Sequence, residues 1–308
     1  MSMRYPAGFI SAFYNPLKNP DAPTIGTATG GASLISVAFT APSNVGGSAI
    51  TSYLATAKRT SDGVLFTASG ASSPISITGL TQVAFTATVV AINSYGPSAS
   101  SAASNSVTPL PTVGDAYQGG YFAGQIGVSG VATHNLVIGP VASAQTTGIA
   151  YKNANTATAG ADSVIDGPQN TADIVADGNS TVYPAGHFCN DLVIGGFSDW
   201  YMPAKNELEV CYFNLKPTTT TNNTSSGINP NAVPARASNY TSGDPAQTTV
   251  TNFITGTGAE AFSASPSYWA STENSAAQAS DTVFGDGGQG GTFKNYTRFV
   301  RAVRRIPV

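Results

Sequence analysis

The sequence predicts a mainly β chain of two domains, an antiparallel β-sandwich followed by a domain that combines strands with helices. Its 308 residues exceed the usual size of a single domain. Short alternating apolar runs separated by turn residues fill residues 21–110, whereas helical apolar stripes occur only after residue 180. Pro109 and Pro111 favour an extended connection between the two regions. We therefore place the domains at residues 21–110 and 111–308, after an N-terminal arm of residues 1–20.

The arm combines three prolines, which exclude one long helix, with a high density of apolar side chains. Left exposed, these side chains would form the kind of patch that marks an interaction site. Either the arm packs on its own chain or, as we favour, it docks into a partner protein. The docking residues would be Tyr5, Phe9, Ile10, Phe13, Tyr14 and Leu17.

Residues 21–110 alternate apolar and polar side chains, as in Ile35, Val37 and Phe39. About seven such runs in roughly 90 residues imply an antiparallel sandwich. The segment resembles a fibronectin type III domain. The matching stretches are Ala22-Pro23, Val37–Pro42, Ile75–Leu80 and Phe85–Ser98. The resemblance puts Phe39 where the family's core Trp usually lies and Phe85 at the tyrosine corner, and it implies a spacer or adhesion module.

Two helices are predicted in the C-terminal domain, each from one apolar stripe at helical spacing. The first stripe is Ala185, Phe188, Cys189 and Leu192, with Pro184 suited to the first turn. The second is Leu208, Cys211, Tyr212 and Leu215, ended by Pro217. Both cysteines fall on these buried faces. Reduced, buried thiols are the default expectation, and a disulfide is the alternative.

Three further stretches occur in combination, and they are Gly195–Leu208, Tyr268–Glu273 and Phe299–Ile306. Together they resemble the Lcl-type C-type-lectin-like domains, over residues 112–308. Those domains are α+β modules without an enzymatic consensus, found in bacterial surface proteins and phage fibres. The resemblance implies that Trp200 and Trp269 are core residues. It also implies that ligand contacts lie between the Tyr268–Glu273 stretch and the last strand.

The ligand-binding face expected from this resemblance offers hydrogen-bonding groups and a ring that could stack on a ligand. Its residues are Asn274, Asp281, Phe284, Asp286, Gln289, Phe293, Lys294, Asn295 and Tyr296. The carboxylate-Pro and Trp-Asn-Asp triplets of Ca²⁺-dependent lectins are missing, since Ala270 and Ser271 follow Trp269. We expect no metal, no cofactor and no catalytic residue, because nucleophile, phosphate-loop and zinc motifs are also missing.

Charge excludes some partners. Only 9% of residues are charged and the net charge is −3, so nothing builds a field that would attract nucleic acid. We expect the C-terminal arginines to pair with carboxylates; they are Arg298, Arg301, Arg304 and Arg305. No apolar run has the length of a membrane span, and no secretory signal precedes the arm.

These observations favour a phage virion protein of the fibre or receptor-binding type, assembled in the host cytoplasm. The arm would attach to other virion proteins, and the lectin-like domain would bind a host-surface glycan or protein. A head- or tail-decorating protein with an assembly role, and a bacterial surface adhesin, are the alternatives. An enzyme is the least favoured class, and a homo-oligomer is an open alternative because no heptad run specifies one.

Overall fold

The computed structural model describes residues 17–308, which form two compact units divided between Thr112 and Val113. Most of the expected docking residues, Tyr5 to Tyr14, lie outside the described residues, and Leu17 is exposed. Lys18 belongs to the sandwich, because its backbone N–H donates to the Gly46 carbonyl and its own carbonyl accepts from Asn93 Nδ2. The sandwich therefore begins before residue 21, the boundary expected from the sequence.

The N-terminal unit is a sandwich of two antiparallel sheets. One sheet has the order β1-β2-β5, with β1 at Thr24–Gly31, β2 at Leu34–Thr40 and β5 at Ile75–Thr78. The other has the order β4-β3-β6-β7, with β3 at Ser52–Arg59, β4 at Leu65–Gly70, β6 at Phe85–Asn93 and β7 at Gly96–Pro97. This arrangement of three and four strands confirms the predicted fibronectin type III fold.

The alternation seen in the sequence is the alternation of burial. Ile35 and Val37 of β2 are fully buried, and so is every second residue of β6 starting at Phe85. The Phe85 ring meets Phe66 edge-on, with ring centroids 5.7 Å apart, and fills the tyrosine-corner position as expected. Phe39 packs on Tyr53 at 4.7 Å in the same core.

The expected connection around Pro109 and Pro111 is in part a component of the sandwich. Val107 and Phe85 each donate a backbone N–H to the carbonyl of the other. The Leu110 N–H donates to the Gly31 carbonyl. Ahead of it, Ser98, Ser101 and Ser104 repeat every three residues along β6. Each of these serines donates its backbone N–H to a β6 carbonyl and accepts a β6 N–H on its Oγ at 2.9 Å. The segment thus covers the edge of β6 without forming a strand.

The C-terminal unit contains two sheets. The four-stranded sheet has the order β16-β10-β9-β8, with β8 at Ala116–Tyr117, β9 at Gly120–Val128, β10 at Val131–Ile138 and β16 at Val303–Pro307. The five-stranded sheet has the order β11-β15-β12-β13-β14. Its strands are β11 at Gln145–Ala150, β12 at Tyr268–Ser275, β13 at Gln278–Thr282, β14 at Gln289–Phe293 and β15 at Thr297–Arg301.

Both predicted helices are present, as α3 at Pro184–Asn190 and α4 at Lys205–Leu215. Two further helices, which the sequence did not reveal, precede them; they are α1 at Val141–Ala144 and α2 at Gly167–Asp177. The buried face of α2 contains Asn170 and Thr171 beside Ile174, so it has no apolar stripe to reveal it. Asp166 caps α2 by accepting the Gln169 N–H at 3.3 Å.

Helix α4 begins after Ala204, whose side chain cannot accept a hydrogen bond from the backbone. Only the reciprocal half of a capping box is present, and Glu207 supplies it. Its Oε2 accepts the Ala204 N–H at 2.8 Å, while Oε1 accepts the Tyr201 hydroxyl at 2.7 Å. Glu207 is fully buried, and burial raises the pKa of its carboxyl to about 7. The start of α4 is therefore held by a buried carboxyl group, and ionising that group costs free energy.

The tryptophans and cysteines lie where the sequence placed them. Trp200 and Trp269 are buried in one core, and the Trp269 indole donates to the Ile149 carbonyl at 3.0 Å. Cys189 and Cys211 are buried and free, which confirms the reduced-thiol alternative. Burial raises the pKa of the Cys211 thiol to about 12, so neither reactivity nor thiolate character is favoured there. Across residues 17–308, no helix has the length and apolarity needed to cross a membrane.

Candidate functional site

The exposed part of the expected binding face lies at the end of β14, an edge strand of the five-stranded sheet. Phe293 is the last residue of β14 and is 43% exposed, and Tyr296, which follows in the turn, is 51% exposed. The turn closes through the Tyr296 N–H, which donates to the Phe293 carbonyl at 3.0 Å. The two rings meet edge-to-face with their centroids 5.8 Å apart. Two large aromatic rings therefore lie together at the surface.

Polar groups surround the aromatic pair. Asn274 at the end of β12 and Asn295 in the turn are both exposed. The Asn295 N–H donates to Asn155 Oδ1 at 3.2 Å, and the Arg298 guanidinium lies 6.0 Å from the Tyr296 ring centroid. Sequence reasoning missed Asn155 as a neighbour of this turn. The two residues are 140 positions apart, and no pattern in the sequence joins them.

Lys294, expected on the same exposed face, is fully buried, so that expectation was wrong. Its ammonium Nζ donates to Glu273 Oε2 at 2.7 Å, to the Thr156 carbonyl at 2.9 Å and to Thr158 Oγ1 at 3.1 Å. Burial lowers the pKa of the Lys294 amine, and the Glu273 carboxylate opposes that shift. The side chain acts as an internal clamp and is not available to a ligand.

The clamp is one end of a larger hydrogen-bond network that reaches the surface at Asp177. Glu273 Oε2 also accepts the Thr158 N–H at 2.5 Å. Tyr183 donates to Asp177, whose pKa is lowered mainly by that hydrogen bond and also by Lys152 nearby. Lys152 Nζ in turn donates to the Ala157 carbonyl at 2.6 Å. The network fastens the strandless segment 151–166 to the sheet beneath the aromatic pair.

Asp281 and Phe284 are also interior, which corrects their expected exposure. The Asp281 carboxylate accepts the Ser267 hydroxyl at 2.5 Å and the Thr292 hydroxyl at 2.9 Å, and Arg298 Nε lies 3.7 Å away. Phe284 is fully buried and stacks on Phe262, with centroids 3.8 Å apart. Both residues hold β13 and β14 in place.

Asp286 and Gln289 are half-buried and shape the turn between β13 and β14. Asp286 Oδ1 accepts the Gly288 N–H at 2.9 Å. Gly287 has φ +77°, and a Cβ there would lie 2.3 Å from the Tyr212 ring, so only glycine fits. Gln289 Nε2 is buried and donates no hydrogen bond within residues 17–308. Gln289 is thus the one predicted site residue with an unused buried donor in the described chain.

The prediction that the C-terminal arginines pair with carboxylates is confirmed. Arg301 Nη2 lies 2.6 Å from Glu260 Oε2, and Arg304 and Arg305 donate to Asp199 and Asp166 at 2.8 and 2.7 Å. Burial lowers the pKa of Arg301 to about 10, so this guanidinium stays charged at neutral pH. None of these three groups is offered to the solvent as an isolated charge.

The geometry therefore brings together Phe293, Asn295, Tyr296 and the edge of Arg298 at the surface, with Asn274 exposed near the end of β12. In the described part of the chain, no group of three His, Cys, Asp or Glu side chains is placed to hold a metal ion. The exposed groups are rings and amides, which can stack on a ligand and exchange hydrogen bonds with it.

No family model and no curated protein matches the sequence. Among solved structures, the twitchin kinase region of C. elegans is 19% identical with a TM-score of 0.28. That match covers 30% of this chain and 17% of the twitchin chain. The FN5 domain of Drosophila Lar is 23% identical with a TM-score of 0.25, covering 30% of this chain and 98% of that domain. A human fourth FNIII domain is 20% identical with a TM-score of 0.28, covering 36% and 96%.

Proposed function

We propose that the chain is a virion protein of the fibre type whose C-terminal unit binds a glycan or protein on the host surface. The observation that carries the proposal is the exposed Phe293–Tyr296 pair on the β14–β15 turn. Exposed aromatic rings beside amide groups are the usual means of stacking on sugar rings and of anchoring protein interfaces.

The turn is held rigidly, which supports a binding role. Lys294, between the two aromatic residues in sequence, is fixed by three hydrogen bonds in the interior. Asp281, on the strand next to β14, is fixed by two hydroxyl groups. A surface whose conformation is already fixed loses little conformational entropy when a ligand binds, so more of the contact energy appears as affinity.

The lectin-like character of the C-terminal unit is part of the same proposal. Two helices, α3 and α4, accompany its sheets, and the tryptophans of its two signature stretches are both core residues. The sandwich ahead of it would serve as a spacer that presents this unit away from the particle.

The test is binding of fluorescently labelled protein to an array of bacterial lipopolysaccharides and capsular polysaccharides. Wild type should bind at least one polysaccharide. Tyr296→Ala and Phe293→Ala should each weaken that signal about tenfold or more, as truncation of a hot-spot residue does. Tyr95→Ala is the matched control, because Tyr95 is similarly exposed (47%) but lies in the sandwich.

An array without any bound polysaccharide would remove the glycan form of the proposal. Binding that survives both ring truncations, or that Tyr95→Ala reduces equally, would show that the aromatic pair is not the binding face. If the aromatic pair is not the binding face and particles carrying Tyr296→Ala adsorb normally to cells, the results favour the alternative of a head- or tail-decorating protein.

A further inference from the structure

A separate cleft of about 180 Å³ opens between the β9–β10 hairpin, strand β16 and the segment that leads into α2. Ile126 and Ile165 supply apolar walls, and Thr133, His134, Asp166 and Arg305 supply polar groups. None of these residues belongs to the β14–β15 turn. The cleft is smaller than the roughly 300 Å³ or more of a drug-sized pocket, so it suits a ligand of about one ring.

The tautomer of His134 is set by its neighbour on β10. Thr133 Oγ1 donates its proton to the Ile126 carbonyl at 3.2 Å, and it lies 3.0 Å from His134 Nδ1. Since the hydroxyl proton is already used, Thr133 Oγ1 accepts a hydrogen bond from Nδ1–H. We assign the proton of the neutral imidazole to Nδ1, because this tautomer lets Thr133 Oγ1 keep both contacts, and Nε2 then carries a free lone pair. Nε2 has no hydrogen-bond partner in the described part of the chain, so it is an unused acceptor.

Asp166 supplies a second acceptor. Its Oδ1 accepts Arg305 Nη2 at 2.7 Å and the Gln169 N–H at 3.3 Å. Its Oδ2 accepts no hydrogen bond from any residue between 17 and 308. The carboxylate is held in place through one oxygen, and the other oxygen is available to a ligand.

The charges of the cleft compensate one another. Arg305 is paired with Asp166, and Glu207 Oε1 lies 4.0 Å from Arg305 Nη1 on its other side. Burial and the nearby Arg305 lower the pKa of His134, with Asp166 opposing them, so the imidazole is neutral at pH 7. A cleft without surplus charge gives neither an anion nor a cation a strong electrostatic reason to bind.

We propose that this cleft binds a single neutral sugar ring, whose hydroxyl groups donate to His134 Nε2 and Asp166 Oδ2 while its apolar face lies against Ile126 and Ile165. Two acceptors beside apolar walls match a molecule that carries several hydroxyl donors and one C–H face. The site is independent of the Phe293–Tyr296 pair, and so is its test.

The test uses four probes, the methyl glycosides of glucose, galactose, mannose and N-acetylglucosamine, each titrated by saturation-transfer difference NMR. At least one should bind the full chain. His134→Phe removes the Nε2 acceptor while keeping a ring, and should weaken that binding about tenfold. Thr133→Val keeps the side-chain shape but removes the hydroxyl that accepts from His134 Nδ1–H. The imidazole can then carry its proton on Nε2, which should weaken sugar binding several-fold. Val131→Thr, at the tip of the same hairpin, is the matched control and should bind as wild type does.

The pH dependence gives an independent readout. Protonation of Nε2 removes the acceptor, so affinity should fall as the pH drops through the pKa of His134, which burial and Arg305 lower from the ordinary value of about 6.5. The charged groups facing His134 are Asp166 and Arg305, with Glu207 behind Arg305, and the His134→Phe variant removes the part of this dependence that belongs to the imidazole. Tyr296→Ala should leave the His134-dependent part of the glycoside binding unchanged, which separates this site from the proposed receptor face.

Failure of all four glycosides to bind would overturn the proposal. So would tight binding of propylammonium in their place, because that result would make Asp166 a cation site. Equal binding by wild type, His134→Phe and Thr133→Val would show that the sugar occupies a different surface.

Discussion

The two units of this chain use their few charges in opposite ways. In the sandwich, the ion pairs Lys18–Asp21 and Arg59–Asp62 are three residues apart in sequence and lie at the surface. In the C-terminal unit, Lys294 and Arg301 are fully buried against Glu273 and Glu260. No charged side chain is buried in the described part of the sandwich, residues 17–112, whereas the larger unit has charged side chains in its interior.

The difference follows from how each unit satisfies its backbone. The sandwich is built from seven strands, whose ladders pair many of its N–H and C=O groups. The C-terminal unit contains long stretches without helix or strand, such as residues 151–166 and 216–250. Their carbonyls need other donors. Lys216 Nζ donates to the Thr220 carbonyl at 2.6 Å, and Arg301 Nε donates to the Gly139 carbonyl at 2.7 Å. In the C-terminal unit, a Lys or Arg side chain with several N–H donors satisfies backbone carbonyls that a neighbouring strand would satisfy in the sandwich.

The largest effect that sharpens this comparison is expected from Lys294→Met. Removing the ammonium leaves Glu273 in the interior without its partner, which costs about 3–5 kcal/mol of unfolding free energy. Arg59→Met breaks an exposed pair in the sandwich and should cost less than about 1 kcal/mol. Both losses of unfolding free energy are to be measured by chemical denaturation, monitored by circular dichroism. Equal losses in the two variants would contradict a structural role for the buried charge.

A pH effect tests the second buried charge. The pKa of Glu207 rises from 4.5 in the unfolded chain to about 7 in the folded one. The folded state therefore binds the extra proton between those values, and the stability this supplies is lost as the pH rises through 7. The loss amounts to on the order of 3 kcal/mol.

Glu207→Gln should remove this pH-dependent loss of stability. The amide oxygen of Gln can still accept the Ala204 N–H, and its NH2 group can donate to the Tyr201 hydroxyl oxygen. Unfolding free energies of wild type and variant, measured at about pH 5 and pH 8, should converge at the lower pH and favour the variant at the higher one. Parallel curves for the two proteins would show that Glu207 is charged throughout. The sandwich has no buried carboxyl, so its own stability should not follow this pattern.

A smaller effect is expected where the sandwich replaces a strand by hydroxyl groups. Ser101 Oγ accepts the Val89 N–H at 2.9 Å and is buried. Ser101→Ala leaves that N–H without a partner and should cost about 1–3 kcal/mol. Its neighbour Ser100 is exposed, so Ser100→Ala is the control and should change stability by less than about 0.5 kcal/mol. Identical melting curves for the two variants would mean that the serine repeat does not support β6.

The same difference explains how far the sequence could predict the structure. The sandwich was predictable because apolar alternation maps directly onto burial, as at Ile35 and Val37. Helices α3 and α4 were predictable for the same reason, whereas α2 buries Asn170 and Thr171 and left no stripe. The Ser98–Ser104 repeat has period three, which is neither a helical nor a strand spacing.

The candidate site was predictable only in part. Phe293, Asn295 and Tyr296 are exposed as expected, but Lys294 and Asp281 are interior. A polar residue in a loop was taken as surface, and in this unit polar residues also hold loops from within. The contacts that decide between the two roles, such as Lys294 with Thr156, join residues far apart in sequence. His134 and Asp166 were not selected for a similar reason, since the cleft forms only when β10, β16 and the start of α2 come together.

The central claim is that two residues of one turn divide the two tasks, Lys294 holding the fold and Tyr296 binding the ligand. The most direct measurement compares Tyr296→Ala with Lys294→Met in thermal melting and in binding to the polysaccharide array. We expect Tyr296→Ala to lose about tenfold or more of the binding while its unfolding free energy changes by less than about 0.5 kcal/mol. Lys294→Met should lower the melting temperature by several degrees. A Tyr296→Ala protein that binds normally, or that melts as early as Lys294→Met, would contradict the claim.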